Sequence, residues 1–440
     1  VAGSRTLEGS WGHALVVPAY GEETSLFPLL GSVPAGPLGE VLIAVVLNAR
    51  ADSPPKIHAA NEAVRARILR ELPDFISISD SPSIRAHRLP AGTLLVVDRA
   101  SEGHTLPEGQ GVGLARKIGN DAVVALAAAG RVKSPWLHNT DADVVLPADY
   151  FDQLADVDAG GVGAAIYAWD HRFEEDPDLA EAGRLYEISL RYYVLGLAWA
   201  GSPYAYQSMG SALAIPVASY AAVRGFPRKN AAEDFYVLDK LAKVGEIVRL
   251  DGARLLLEGR PSDRVPFGTG RALIDLVGKK NGLERFRLYH PLVFAHLAQW
   301  LRVLDAVARS GGSLETGLAE MPSGNPFFRA NLLEGVLGEL GAFEAVREAL
   351  GATRDPKALR RRLHEWFDAF RTLKLVHGLR DAGLPSMHWR QALAEAPFTN
   401  LTSSTAEETD PLRKELAAEE SRLAATRAGV PALVAEEPPN

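Results

Sequence analysis

The stretch VLIAVVLNARADS, Val41 to Ser53, opens with seven consecutive apolar residues and then turns abruptly polar. A short run that is apolar at every position needs cover on both faces if it is extended, and a parallel strand inside a layered α/β sheet receives that cover. The segment that follows, Pro54 to Leu72, is compatible with a helix. Similar apolar runs recur at Ala14 to Val17, Leu94 to Val97, Trp136 to Leu137, Val162 to Tyr167 and Ser211 to Ile215, with a second helix-compatible segment at Leu114 to Ala129. Strands alternating with helices in this way predict a doubly wound α/β domain, a mostly parallel sheet with helices on both faces.

In such sheets ligands bind beyond the carboxyl ends of the strands, near the point where strand order reverses. Four segments fall at such ends: PAYGEE (Pro18 to Glu23), NARADS (Asn48 to Ser53), DRASEG (Asp98 to Gly103) and NTDAD (Asn139 to Asp143). The last places two carboxylates, Asp141 and Asp143, one residue apart where a buried strand runs out. Their charges repel, so each must be solvated or paired.

At 440 residues the chain exceeds one typical hydrophobic core, and its 47% hydrophobic and 23% charged residues are those of an ordinary globular protein. A net charge of -8 leaves no electrostatic footprint for nucleic acid and points to small or neutral partners. The absence of cysteine excludes disulfides, thiolate metal sites and a cysteine nucleophile, and fits a reducing cytoplasm. The most apolar stretches, Tyr192 to Ala200 and the segment around Pro291 to Ala298, fall short of the roughly 20 residues a bilayer requires. No signal peptide is visible, so a cytoplasmic location is expected.

From about Leu283 long helical patterns take over, at Arg285 to Arg309, Ala330 to Leu350 and Pro356 to Leu379, with no strand-like run among them. The expected organisation is an α/β domain at 11–275, a helical C-terminal region at 283–398 and a mobile tail at 400–440 with one short helix, Pro411 to Arg427. The helical region is the candidate surface for homo-oligomer formation.

An Asp-x-Asp at a strand end offers oxygens to a hard cation such as Mg²⁺ or Mn²⁺ shared with phosphate. The plain alternative is a turn in which both side chains bond backbone amides. An EF-hand is excluded because Gly at the sixth loop position and Glu at the twelfth are missing. A second acidic pair, Glu233 and Asp234, opens the helical pattern of AAEDFYVLDKLAKVG, which Gly245 ends. Acids are common at helix starts for reasons of dipole alone. The same dipole lowers a carboxylate's pKa, so a base at Asp234 requires an apolar wall or a nearby carboxylate to offset it.

Taken in order, VVPAYGEE (Val16 to Glu23), NTDADV (Asn139 to Val144), GSALAIPVASYAAVRGFP (Gly210 to Pro227) and AAEDFYVLDKLAKVG (Ala231 to Gly245) resemble family 2-like glycosyltransferases with the GT-A fold, over roughly Trp11 to Gly270. The resemblance implies transfer of a sugar from a nucleotide-sugar donor to an acceptor hydroxyl. It implies Pro18, Ala19, Tyr20 and Glu22 in the nucleotide pocket, Asp98 near base or ribose, Asp141 near ribose or metal, and Asp143 on a divalent metal, Mn²⁺ or Mg²⁺. It makes Asp234 the general base of an inverting reaction and gives Glu233 the placing of the acceptor or of that base.

The sequence departs from this family after the second strand, where NARADS replaces an Asp-Gly-Ser run and leaves Asp52 as the substitute. Where related enzymes supply a metal-binding histidine, LLLEGRPSDRVPFGTGR offers Glu258 or Asp263, with the more distant His290 as a third candidate. Arg260 and Arg264, with free amides of the loop Arg260 to Arg271, are candidates to close over a leaving diphosphate; pairing with surface acids is the alternative. Arg116 and Lys117, in GVGLARKIGND, are candidates to face phosphate or to form a solvated helix face. The loop Arg260 to Arg271 is not a P-loop, since the Gly-Lys-Ser/Thr ending is absent. The Gln-x-x-Arg-Trp signature of processive synthases does not occur and no membrane helix is expected to form a translocation pore, which favours a single-addition, non-processive enzyme. The remaining alternatives are a retaining GT-A enzyme and a catalytically idle nucleotide-sugar-binding or scaffold module.

Overall fold

A computed structural model describes residues 7, 9–73, 75–77, 83–173, 176–264, 268–279, 281–320, 328–399, 401 and 408–425. In chain order the strands that matter are β1 (His13–Ala19), β2 (Val41–Asn48), β3 (Phe75–Ser77), β4 (Ile84–Leu89), β5 (Gly92–Arg99), β6 (Trp136–Asn139), β7 (Val144–Val145), β8 (Val162–Ile166), β9 (Trp169–Phe173), β10 (Leu213–Pro216), β11 (Glu246–Arg249) and β12 (Leu255–Gly259). Nine of them form one sheet in the order β11-β8-β10-β6-β1-β2-β5-β4-β3. Its centre, β6-β1-β2-β5, is parallel. β10 runs antiparallel between β6 and β8, and β4 and β3 form an antiparallel edge.

Every residue of β1 and β2 is buried. The two-residue period of a strand explains why both parities are apolar. Leu15, Val17, Ile43 and Val45 pack on one face with Val64 and Ile68 of the helix Pro55–Glu71, while Ala14, Val16, Leu42 and Ala44 pack on the other with Ala115 and Val123 of the helix Val112–Ala128. Gly119 sets the approach of the second helix, since a Cβ there would stand 2.5 Å from Val16 Cγ1. The chain is thus a mixed α/β protein with a large, mostly parallel central sheet and a helical C-terminal region, as the sequence predicts.

A smaller sheet, β7-β12-β9, was not read from the sequence. It anchors the segment after β6, because β7 begins at Val144, directly after Asp143, and pairs with β12. The helix Pro177–Trp199 also went unread, and it links the two parts of the molecule. Its Leu185, Ile188, Tyr192 and Leu195 share one core with Val293, Phe294, Trp300 and Leu304 of the helix Pro291–Ser310.

Each long helical pattern after Leu283 is shorter or divided in the structure. The first begins at Pro291 and not at Arg285, because Arg287 and Leu288 pair antiparallel with His388 and Met387. The second splits at Gly341, whose φ of 75° is a left-handed turn that favours glycine. The third splits after Trp366, and Asp368 caps the second half by accepting a bond from Arg371 N. In the segment expected to be a mobile tail, residues 402–407 and 426–440 lie outside the described residues, but Thr409–Ala425 is a helix packed on Pro177–Trp199. Its Leu412 and Leu416 are fully buried, and Glu420 pairs with Arg191 at 2.8 Å.

No helix among the described residues is long and apolar enough to cross a membrane.

Candidate active site

Strand order reverses at β1, flanked by β2 and β6, and the main cavity opens at the carboxyl ends of these strands with a volume of about 810 Å³. The end of β1 brings Pro18 to its wall and the turn after it Tyr20 and Glu22, the turn after β6 brings Asp141 and Asp143, and the start of the helix Glu233–Leu241 brings Glu233 and Asp234. The loop after β12 adds Arg260 and Arg264, while β12 itself adds Glu258.

Arg116 joins the two acidic pairs. It is 2% exposed, bonds Asp141 Oδ1 through Nη2 at 2.5 Å and Glu233 Oε1 through Nε at 3.0 Å, and reaches the carbonyl of Thr140. Gly210 makes room for it, because a Cβ there would stand 2.7 Å from Arg116 Nη2. The guanidinium is therefore spent on holding Asp141 and Glu233 in place, a role neither of the two sequence alternatives for Arg116 anticipated.

Asp234 accepts bonds from Phe235 N at 2.7 Å and Gly210 N at 3.1 Å. Burial, and then the charge of Glu233, push its carboxyl up to about 7 against these amides and Arg116. The offset that a base at a helix start requires is thus present: an apolar surround and a neighbouring carboxylate. Asp143 is raised to about 6, by burial first and then by the charges of Asp141 and Glu22, against the pull of Arg260. Arg260 Nη2 lies 2.9 Å from Glu22 and 3.1 Å from Asp143, and Arg264 pairs with Glu22 as well. Residues 265–267 of this loop lie outside the described residues.

Several residues of the sequence reading are not brought to the cavity wall. Ala19 is a buried strand residue whose carbonyl accepts from Asn48 Nδ2. Asp98 is consumed in its own turn, accepting from the amides of Ala100 and Ser101 and from the Ser101 hydroxyl, with Arg65 alongside. Lys117 points to the far side of its helix, bonding Asp121 and the carbonyl of Arg224. Asp52 pairs with Arg50 in solvent, and Asp263 is exposed. His290 caps the helix Pro291–Ser310 by accepting from Leu292 N and does not line the cavity, as a histidine between Tyr289 and Pro291 suggests.

Asp141 and Asp143 bring hard carboxylate oxygens to the wall, their side chains 41% and 24% exposed. The crowding that raises Asp143 is relieved by added positive charge, so the donor chemistry fits a Mg²⁺ or Mn²⁺ ion shared with a diphosphate. Among the described residues, no group of three or more His, Asp or Glu side chains converges on one point, so neither Glu258 nor His290 completes a protein-only site.

The sequence reading missed the far half of the cavity. Tyr186, Leu190, Tyr193 and Leu197 stand at helical spacing on one face of Pro177–Trp199, opposite Phe370 and Thr372 of the helix Ala369–Ala382. The aromatic periodicity was available as a signal. Its partner across the cavity lies far along the chain and was not.

No protein-family model matches the chain, and no curated protein matches it in sequence. Among solved structures, S. aureus TarS 1-349 in complex with UDP-GlcNAc is similar at 13% identity and a TM-score of 0.34, covering 94% of this chain and 92% of that one. The same protein in complex with UDP gives 15% and 0.35, over 84% of this chain and 89% of that one. The mannosyltransferase PcManGT from Pyrobaculum calidifontis, in complex with GDP-Man and Mn²⁺, gives 15% and 0.33, over 83% and 87%. Likeness at this level says nothing of activity.

Proposed function

We propose that this protein is a glycosyltransferase that moves a sugar from a nucleotide-sugar to an acceptor hydroxyl, with inversion and without processive addition. The observation that supports this most is the convergence of two acidic pairs, Asp141–Asp143 and Glu233–Asp234, on one cavity at the strand-order reversal, joined by Arg116. One pair lies beside an arginine suited to a diphosphate, and the other contains a carboxyl raised into the range of a general base.

In this reading Asp234 accepts the proton of the acceptor hydroxyl as its oxygen bonds the anomeric carbon. The bond from that carbon to the diphosphate oxygen breaks, and the nucleoside diphosphate leaves with the electron pair. Arg260 and Arg264 exchange their pairing with Glu22 and Asp143 for the diphosphate, which places positive charge where negative charge develops. Glu233, fixed by Arg116, orients Asp234 and the acceptor. Asp143, with Asp141, would hold Mg²⁺ or Mn²⁺, which when bound would neutralise the leaving diphosphate.

The test is thermal melting of the protein against a panel of nucleotide-sugars and free diphosphates, with Mn²⁺, Mg²⁺ or a chelator. A ligand that binds only the native state at 100 times its Kd adds about 2.7 kcal/mol. One donor is expected to shift the melt in a metal-dependent manner, and Asp143→Asn is expected to abolish the metal dependence. A shift that survives the chelator would assign the diphosphate to the arginines alone. No shift with any donor would leave an idle scaffold as the better reading.

A further inference from the structure

The loop that carries Arg260 and Arg264 has two roots, and both are tied to one strand, β9. The first root is the end of β12, which pairs with β9 at Leu257–His171 and Gly259–Phe173. The second is the start of the helix Thr269–Val277. There the Thr269 hydroxyl lies 3.2 Å from His171 Nε2, and both residues line the cavity.

His171 is itself held on its other side. The residue is 6% exposed, and its ring is flanked by those of Trp169 and Phe173, with centroids 4.9 and 5.7 Å away. Its Nδ1 and backbone N lie 3.2 and 3.3 Å from Oε2 of the fully buried Glu187. Burial would raise the Glu187 carboxyl, yet the bond from His171 and the charges of Arg191 and Arg413 bring it down to about 2. An ionised carboxylate only accepts, so Nδ1–H points to Glu187, and Nε2 of the neutral ring is left to accept from the Thr269 hydroxyl.

The tie reaches the arginine through Gly270. A Cβ there would stand 2.7 Å from Ser262 N and 3.0 Å from the Arg260 carbonyl oxygen, so the residue after Thr269 abuts the backbone from which Arg260 reaches Glu22 and Asp143. With the second root untied, that backbone loses its backstop, and a displacement of about 1 Å is enough to cost a positioned group much of its effect.

We infer that His171 is a positioning residue: oriented by Glu187, it anchors Thr269 and thereby sets the backbone from which Arg260 meets a diphosphate. The inference rests on the transferase reading above for the diphosphate that Arg260 meets.

Titration calorimetry on the whole chain with Mn²⁺ tests this. The probes are UDP, GDP and ADP and the matching nucleosides, the latter measured by displacement of the bound diphosphate. Thr269→Val keeps the shape of the side chain and removes its hydroxyl, while Thr269→Ser keeps the hydroxyl. Thr269→Val is expected to weaken the diphosphate about tenfold or more, the worth of one bond to a charged group, with the nucleoside held within about twofold. Thr269→Ser is expected to restore the affinity. His171→Phe is expected to match Thr269→Val, and the double variant to be no weaker than either, because both remove one bond. Thr269→Val leaves the His171–Glu187 pair intact, so the outcome does not depend on whether His171→Phe folds. An equal loss for nucleoside and diphosphate marks a merely structural contact and overturns the assignment, as does unchanged diphosphate affinity in Thr269→Val.

Melting shifts with nucleotide-sugars on the same samples separate the two readings. A donor shift with diphosphate affinity indifferent to Thr269→Val overturns the anchor alone. Diphosphate binding that responds to Thr269→Val, without a shift for any nucleotide-sugar, supports the anchor while overturning the transferase. No diphosphate bound at all overturns both.

Discussion

Asp234 shows how two opposing effects at one residue are weighed. The helix start and two backbone amides favour its charged form, yet burial and the charge on Glu233 win and set it near 7. A base must be deprotonated to act, so kcat/KM of the free enzyme is expected to fall about tenfold per pH unit below 7 and to level off above it. Asp234→Asn is expected to lower turnover by about 10² to 10⁴ while the donor-induced melting shift persists; unchanged turnover would remove Asp234 from the reaction. Arg116 is the second residue whose role follows from its surroundings. Arg116→Met would leave Glu233, with only 7% of its side chain exposed, as an unpaired buried charge. A loss of about 3–5 kcal/mol is expected in urea denaturation, the usual range for breaking a buried pair from one side. A loss below about 1 kcal/mol would mean that Glu233 takes up a proton or rotates to water.

Among the elements, the helix Thr409–Ala425 distinguishes composition from packing. Its alanines and glutamates read as a solvated tail, but Leu412 and Leu416 are buried and Arg413 reaches Glu187 at 3.3 Å. That contact adds to a network in which Glu187 also holds Arg191 and the His171 ring, so that its carboxyl falls to about 2 despite burial. Leu416→Ala is expected to cost about 2–5 kcal/mol in urea denaturation, as for other buried leucines. A tail that does not pack would lose nothing. The divided helices nearby carry a related lesson. A single glycine at positive φ or a capping aspartate ends a helix whose apolar periodicity runs on, and periodicity alone does not locate such a break.

For the molecule as a whole, the cavity is shared between the sheet and the helical region, with Pro177–Trp199 belonging to both. The sheet was legible because a strand buried on both faces must be apolar at every position, as Val41 to Leu47 is. The acidic pairs were legible because carboxylates at strand ends and helix starts need a partner. Which groups meet them was not: Arg116, Arg260 and Arg264 lie 24 to 242 residues from the atoms they bond. The sequence by itself therefore determined the layered α/β plan and the address of the two acidic pairs, since local periodicity and strand-end chemistry are written over short spans. Only the tertiary structure decided that Arg116 is a strut, that Lys117, Asp98 and His290 stay off the cavity wall, and that Tyr186 and Phe235 line the cavity beside Asp234. Those outcomes depend on which distant side chains exclude water from one another, and that is a property of the packed chain.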